Sequence, residues 1–198
     1  SVRCVSETAL NILLKNYLNA VSNSILSSDI KSVDKAANVI IATIKRKGTI
    51  YVCGNGGSAA IANHYVCDFL KFFRQKSKYL PKIISLCNSI ETITAIANDI
   101  DYKKIFSYQV ESLCEKKDLI IIISSSGNSK NIIEILKTAK KKGIKTLGFS
   151  GFKGGYLKKN SDISVHIDAQ NYGVSEDAHH ILMHIILQYL IKFFGKNI

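Results

Sequence analysis

Two hydrophobic rhythms alternate along this chain from residue 49 onward. Short unbroken runs of Ile, Val and Leu mark strands buried on both faces, and stretches with apolar positions three and four apart mark helices. The runs are Thr49–Cys53, Lys82–Leu86, Leu119–Ile123, Ile144–Ser150 and Ile163–Ile167. The helical stretches are Ser58–Phe73, Ser89–Ala97, Tyr102–Glu115, Ser129–Lys142, the short Gly154–Lys159 and the long Val174–Phe194. Two more helices precede the first strand. One covers residues 6 to 27, with Leu10, Ile12, Leu13, Leu14, Tyr17, Leu18, Val21 and Ile25 at helical spacing. The other runs from Ser28 or Asp29 to Lys47, with Gly48 as its stop. This alternation predicts an α/β fold: a doubly wound, mostly parallel five-stranded sheet flanked by helices, forming one domain over residues 1–198. Residues 1–48 form a helical extension and 49–198 the α/β core. So much apolar surface on the extension must pack on the core or on a second subunit.

Two of the strands end in turns with unusual chemistry. Tyr51-Val52-Cys53 runs into Gly54-Asn55-Gly56-Gly57-Ser58, and Leu119–Ile123 into Ser124-Ser125-Ser126-Gly127-Asn128-Ser129. A strand that ends in small residues before a helix leaves backbone N–H groups pointing outward, and with the helix dipole and hydroxyls these attract phosphate. Any α/β fold can use one such turn to enter a helix; two of them point to a phosphorylated small molecule. Neither fits GxGxxG or GxxxxGK[ST], so a nucleotide cofactor is not expected. In a parallel sheet the ligand belongs at the carboxyl ends of the strands, where the connection order switches.

Composition narrows the picture only a little. With 46% hydrophobic and 21% charged residues, the chain reads as an ordinary soluble domain. No apolar stretch approaches the roughly 18 residues of a membrane span. Ser1-Val2-Arg3-Cys4 soon meets Glu7 without a signal-peptide apolar region, so a cytoplasmic location is expected. The cysteines (Cys4, Cys53, Cys67, Cys87, Cys114) are scattered, with no CxxC pair, which argues against both a disulfide framework and a cysteine zinc site. The formal charge of +12 comes from dispersed lysines without interleaved aromatics, so no nucleic-acid partner is expected.

The last feature is a polar cluster split between two helices. His64 and Asp68 are four residues apart and share a helix face; Glu176, His180 and His184 form a stripe on the final helix, with His179 beside it. Such pairs suit either a divalent metal or acid–base chemistry. Asn98-Asp99 ends the helix after the second strand.

The run Cys53-Gly54-Asn55-Gly56-Gly57-Ser58, then His64, then Ser124-Ser125-Ser126-Gly127-Asn128-Ser129, then the histidine-rich last helix resembles the phosphoheptose isomerases of the sugar isomerase (SIS) domain group. The resemblance covers essentially the whole chain. It implies conversion of sedoheptulose 7-phosphate to D-glycero-D-manno-heptose 7-phosphate for surface-polysaccharide heptose, in a homotetramer whose sites lie between subunits. It implies that Asn55, Gly56, Gly57, Ser58, Asn98 and Asp99 line the sugar, and that Ser124, Ser125, Ser126 and Ser129 grip the phosphate. Asp68, His184 and Glu176 are the implied catalytic residues. His64, Asp68, Glu176 and His184 are the set implied to bind a divalent metal, zinc in some members. Three residues depart from the family's pattern: Asp68 replaces a glutamate, Glu176 a glutamine, and Phe72 an arginine. These departures keep two alternatives open: an isomerase of another ketose phosphate in a capsule or lipopolysaccharide pathway, and a non-catalytic tetrameric adaptor of the replication initiator.

Overall fold

A computed structural model describes residues 7–195; Cys4 and the expected helix start at residue 6 lie outside them. In chain order the elements are α1 (Glu7–Leu26), α2 (Ile30–Lys45), β1 (Thr49–Gly54), α3 (Gly57–Asp68) and α4 (Arg74–Lys76). They continue with β2 (Lys82–Ser85), α5 (Ile90–Ile96), α6 (Ser107–Leu113), β3 (Leu119–Ser124) and α7 (Lys130–Lys142). The last are β4 (Lys145–Ser150), α8 (Gly155–Asn160), β5 (Ile163–His166) and α9 (Tyr172–Phe194).

All pairings within the five-stranded sheet are parallel, in the order β2-β1-β3-β4-β5. The side-chain period of two divides the strands between two cores. Ile50, Val52, Leu119, Ile121 and Ile123 face α2, α3 and α9, while Tyr51, Cys53, Ile120 and Ile122 face the layer of α5 to α8. β3 lies at the centre with all five apolar side chains at 0% exposure. Its unbroken isoleucine run is therefore the pattern of a doubly covered strand, each side chain contributing about 1.5–3 kcal/mol of burial.

The two leading helices behave differently. α2 sits on the sheet through Ala36, Ile40 and Ile44, and Asp29 caps it by accepting from Lys31 N. α1 leaves Leu10, Leu13, Leu14 and Leu18 each more than half exposed. The end of α2 corrects one expectation: the left-handed residue is Lys47, at φ 58°, not Gly48. Lys47 N donates to Ile44 O and Gly48 N to Thr43 O, a Schellman closure. Gly48 is required because a Cβ there would collide with the Lys117 carbonyl oxygen.

Two expected helices change pitch. The helix predicted over Ser58–Phe73 becomes a π-helical turn at Phe69–Phe73 before α4. That predicted over Tyr102–Glu115 divides into a 3-10 turn at Tyr102–Lys104, where Asp101 accepts from Lys103 N, and α6. A second π turn, Ala97–Asp101, precedes the break.

Candidate active site

The strand order places the switch point between β1 and β3, from which the chain leaves toward opposite edges of the sheet. Both glycine- and serine-rich turns leave from the carboxyl ends of these neighbouring strands. Gly56 has φ 53° and ψ −123°, a conformation open only to glycine. Gly127, at φ 66°, has no room for a side chain, since a Cβ would strike the backbone of Gly154.

A pair of amides joins the two turns. Asn55 Nδ2 donates to Asn131 Oδ1 and Asn131 Nδ2 donates to Asn55 Oδ1, both at 2.9 Å. Tyr102 OH also donates to Asn55 Oδ1 at 3.3 Å, bringing the segment that carries Asn98 and Asp99 toward the first turn. Asn98 and Asp99 are themselves exposed on the π turn, Asn98 Nδ2 donating to Asp99 Oδ1. Asn131, buried in the second residue of α7, is a site element the sequence motif did not single out. Its only signal was an amide closing the serine run.

Among the serines, two brace the turn and two stay open. Ser124 Oγ accepts from Gly127 N and Ser126 Oγ from Asn128 N. Ser129 stands at the N-cap of α7 without a side-chain capping bond, and Ser125 Oγ is buried with no partner among the described residues. Ser58 is buried against Gly54 rather than presented beside Asn55. Where α2, α5 and α9 are capped by Asp29, Ser89 and Asn171, neither α3 nor α7 has a side-chain cap. The two helix starts at the switch point therefore keep donors for an anion.

The histidine and carboxylate side chains gather where α3 packs on α9. His64 Nε2 and His184 Nε2 are 3.1 Å apart. Asp68 Oδ2 lies 3.4 Å from the first and 3.1 Å from the second, yet makes no well-formed hydrogen bond. His180, from the same stripe as His184, stands with its ring centroid 4.5 Å from that of each of these two histidines. Burial, reinforced by His184 and His64, lowers the pKa of His180. Among the described residues His64, His180 and His184 form the group spaced to hold a metal ion, and neither Asp68 nor Glu176 is part of it.

Glu176 lies instead over the start of α3, where a Cβ on Gly57 would collide with its carboxylate. Burial, then the neighbouring Asp177, raises its pKa. Asp177 is in turn held by Tyr17 of α1, whose hydroxyl donates to it at 2.7 Å and is pushed up to about 12 by that bond. The site thus has two distinct carboxylates: Asp68 among imidazoles and Glu176 beside the glycine turn. A cleft of about 270 Å³ opens next to the first, lined by Asp68, Phe72, His184, Leu187 and Gln188.

His179 belongs to neither set. It is fully buried, packs edge-on toward Phe149, and has its pKa lowered to about 4 by burial, so it is neutral near pH 7.

A metal fits the donor set. A tetrahedral shell with bonds of about 2.0–2.1 Å holds its donors about 3.3 Å apart, and the three measured separations, 3.1, 3.1 and 3.4 Å, bracket that value. Asp68 Oδ2, buried without a hydrogen bond, has the place of an atom facing a cation.

Known proteins resemble this chain in sequence and in fold. A family model described as "SIS domain" matches residues 15–151. The chain is 38% identical over 172 residues to a "Probable phosphoheptose isomerase" of Thermoplasma acidophilum, covering 87% of this chain and 94% of that protein. It is 33% identical to a phosphoheptose isomerase of Campylobacter concisus, covering 90% and 95%. The fold superimposes on phosphoheptose isomerase GmhA from Neisseria gonorrhoeae with a TM-score of 0.85 at 25% identity, covering 94% and 98%. No helix among the described residues is long and apolar enough to cross a membrane. With a matching domain model and relatives aligned along nearly their whole length, the chain belongs to the SIS-domain phosphoheptose isomerase family and is an isomerase.

Proposed function

We propose that this chain interconverts a seven-carbon ketose phosphate and its aldose, turning sedoheptulose 7-phosphate into D-glycero-D-manno-heptose 7-phosphate for surface-polysaccharide heptose. The observation that carries the reading is the pairing of two anion-shaped turns with a carboxylate–imidazole cluster further along the same helix. Gly57 opens α3 and His64 lies seven residues on, about 10 Å along the axis at ~1.5 Å per residue. An extended heptose phosphate spans about 10 Å from C1 to phosphorus at ordinary bond lengths.

Ser125, Ser129 and the start of α7 hold the phosphate, supported by Ser124 and Ser126. Asn55, Gly56 and Gly57, with Asn98 and Asp99, line the sugar. Binding the remote phosphate positions the reacting end, so the groups there act as if intramolecular. A carboxylate, Asp68 or Glu176, removes a proton from C1 of the ketose, and the electron pair passes through C1–C2 to O2. His184 moves a proton from O1 to O2 through the enediol, and the carboxylic acid returns its proton to C2, leaving the aldehyde at C1. His64, Asp68 and His184 would hold a divalent metal, zinc by their chemistry, which when bound polarises the carbonyl as a Lewis acid.

The exposed leucines of α1 support a homotetramer, and Tyr17 gives α1 a direct link to the helix that carries Glu176. A cytoplasmic location fits such an enzyme, whose substrate is a phosphorylated sugar. The test is to follow sedoheptulose 7-phosphate with the purified protein by proton NMR, with and without zinc. New mannoheptose signals are expected. No conversion with binding retained would redirect the reading to a different ketose phosphate.

A further inference from the structure

Three imidazoles converge in the cluster, one more than the motif assigns to it. His180 brings a ring nitrogen into a group whose donor atoms all lie within 4.8 Å of one another. Its Nε2 is buried and has no hydrogen-bond partner among the described residues, as is also true of Asp68 Oδ2. Buried polar atoms in native proteins are normally paired, so two such atoms at one spot need a common explanation. Asp68 pairs with His64 and His184, Asp177 also lies close enough to act on His180, and Tyr65 contributes another buried, unpartnered oxygen. Protonated rings so close would repel one another, whereas neutral rings directing lone pairs at one point would bind a cation.

Glu176 is placed differently. Its carboxylate packs over Gly57 and, among the described residues, is not ion-paired with the rings as Asp68 is. On α9, Glu176 is two turns from His184, while His180 is one turn away and shares its face.

We propose that His180 is a metal ligand of this site, so that a divalent ion is held by His64, Asp68, His180 and His184, all from one chain, with Glu176 outside the set. The His180 nitrogen lies within 4.8 Å of a nitrogen of each of the other two rings, against the roughly 3.3 Å between donors of a tetrahedral shell, so a bound ion would draw it inward. Three neutral imidazoles and one carboxylate leave a bound divalent ion with a net charge of +1, where two histidines and two carboxylates would neutralise it. The site is also rich in nitrogen donors, which suits zinc, copper and nickel rather than magnesium or calcium. That Glu176 is left free to carry protons rests on the isomerase reading; the ligand set does not.

Nitrogen counting tests this directly. The untagged full chain is loaded with one equivalent of Cu2+, and the bound nitrogens are counted from the superhyperfine splitting in its paramagnetic resonance spectrum. Zinc affinity is measured by competition with a chromophoric chelator. Three nitrogens are expected in the wild type and two in His180→Ala. Zinc affinity should fall at least about tenfold in both His180→Ala and His180→Gln, and should not change in Glu176→Gln. Thermal melts of the metal-free variants check that each is folded. Two nitrogens in the wild type, undiminished zinc affinity in a folded His180 variant, or a large loss in Glu176→Gln would each overturn the assignment. None of these readouts involves sugar turnover, so failure here and failure of the isomerase reading are separable.

Discussion

Replacing Gly57 with alanine should separate folding from catalysis. Gly57 is the first residue of α3, and a Cβ on it would lie 2.6 Å from both Cδ and Oε1 of Glu176. Ordinary contact between such atoms begins near 3.4 Å, so one of the two partners must withdraw by about 1 Å. The obstructing atoms are the far end of a flexible side chain rather than backbone, and Glu176 is the partner that yields. Alanine is favoured over glycine in a helix by up to ~1 kcal/mol, so Tm should be unchanged or raised. The reaction is far less forgiving, because misplacing a catalytic group by about 1 Å costs on the order of a hundredfold in rate. That is roughly 2.7 kcal/mol in the barrier. Turnover of sedoheptulose 7-phosphate followed by NMR, beside a thermal melt and a calorimetric titration, reads all three quantities. The expected result is a hundredfold lower kcat, little change in affinity and no loss of stability. In a Glu176→Gln background, Gly57→Ala should add almost nothing, since both changes act on one group. A kcat within about threefold of wild type would refute the role given to Glu176. A drop of many degrees in Tm would refute the claim that the side chain yields.

Other positions test the scaffold. Gly127→Ala forces a left-handed backbone on a residue with a Cβ, and that atom meets the Gly154 backbone, with the carbonyl carbon at 2.8 Å; denaturant unfolding should show a loss of about 2–4 kcal/mol. Asn131→Ala leaves Asn55 without its amide partner between the two turns, and the same assay should show about 1–3 kcal/mol of destabilisation together with weaker phosphosugar binding. His179 has a folded-state pKa of about 4, below its ordinary 6.5, so the unfolded chain binds more protons between these values. Stability should therefore be complete above about pH 6.5 and decline as the pH falls toward 4, by roughly 3 kcal/mol in total. His179→Leu should flatten that part of a Tm-versus-pH curve, and an unchanged slope would exclude His179 as its source.

What could be read in the sequence follows the range of the forces involved. β3 was legible because Leu119–Ile123 is apolar at every position, which only a doubly covered strand needs. The start of α2 was legible to within one residue, Ser28 or Asp29, because a capping side chain acts within two or three residues of itself. Lys47 was not: its left-handed turn places Gly48 against the Lys117 carbonyl, a contact 69 residues away in the chain. The π turns escaped for a related reason. Phe69 and Phe73 are four apart and read as ordinary helix, and it is the stacking of Phe69 on Phe73 and the packing of Phe73 against Phe194 that accompany the widened turn.

The candidate site divides along the same line. His64 and Asp68 could be paired from their spacing, since a helix face is a local property, and so could the stripe Glu176–His180–His184. The stripe rises about 12 Å from end to end, however, whereas His64 to Asp68 rises only about 6 Å. Two helices in contact cannot present the whole of the longer stripe to the shorter pair. Which part of it meets α3 is decided by how deeply α9 docks, and that depth is set by Val174, Ala178, Leu182, Met183 and Ile186, buried on the core side of the helix. These residues bring His180 and His184 to the imidazole cluster and leave Glu176 over the glycine turn. A packing surface with no polar chemistry of its own thereby separates the end of the stripe that joins the imidazole cluster from the carboxylate end over the glycine turn.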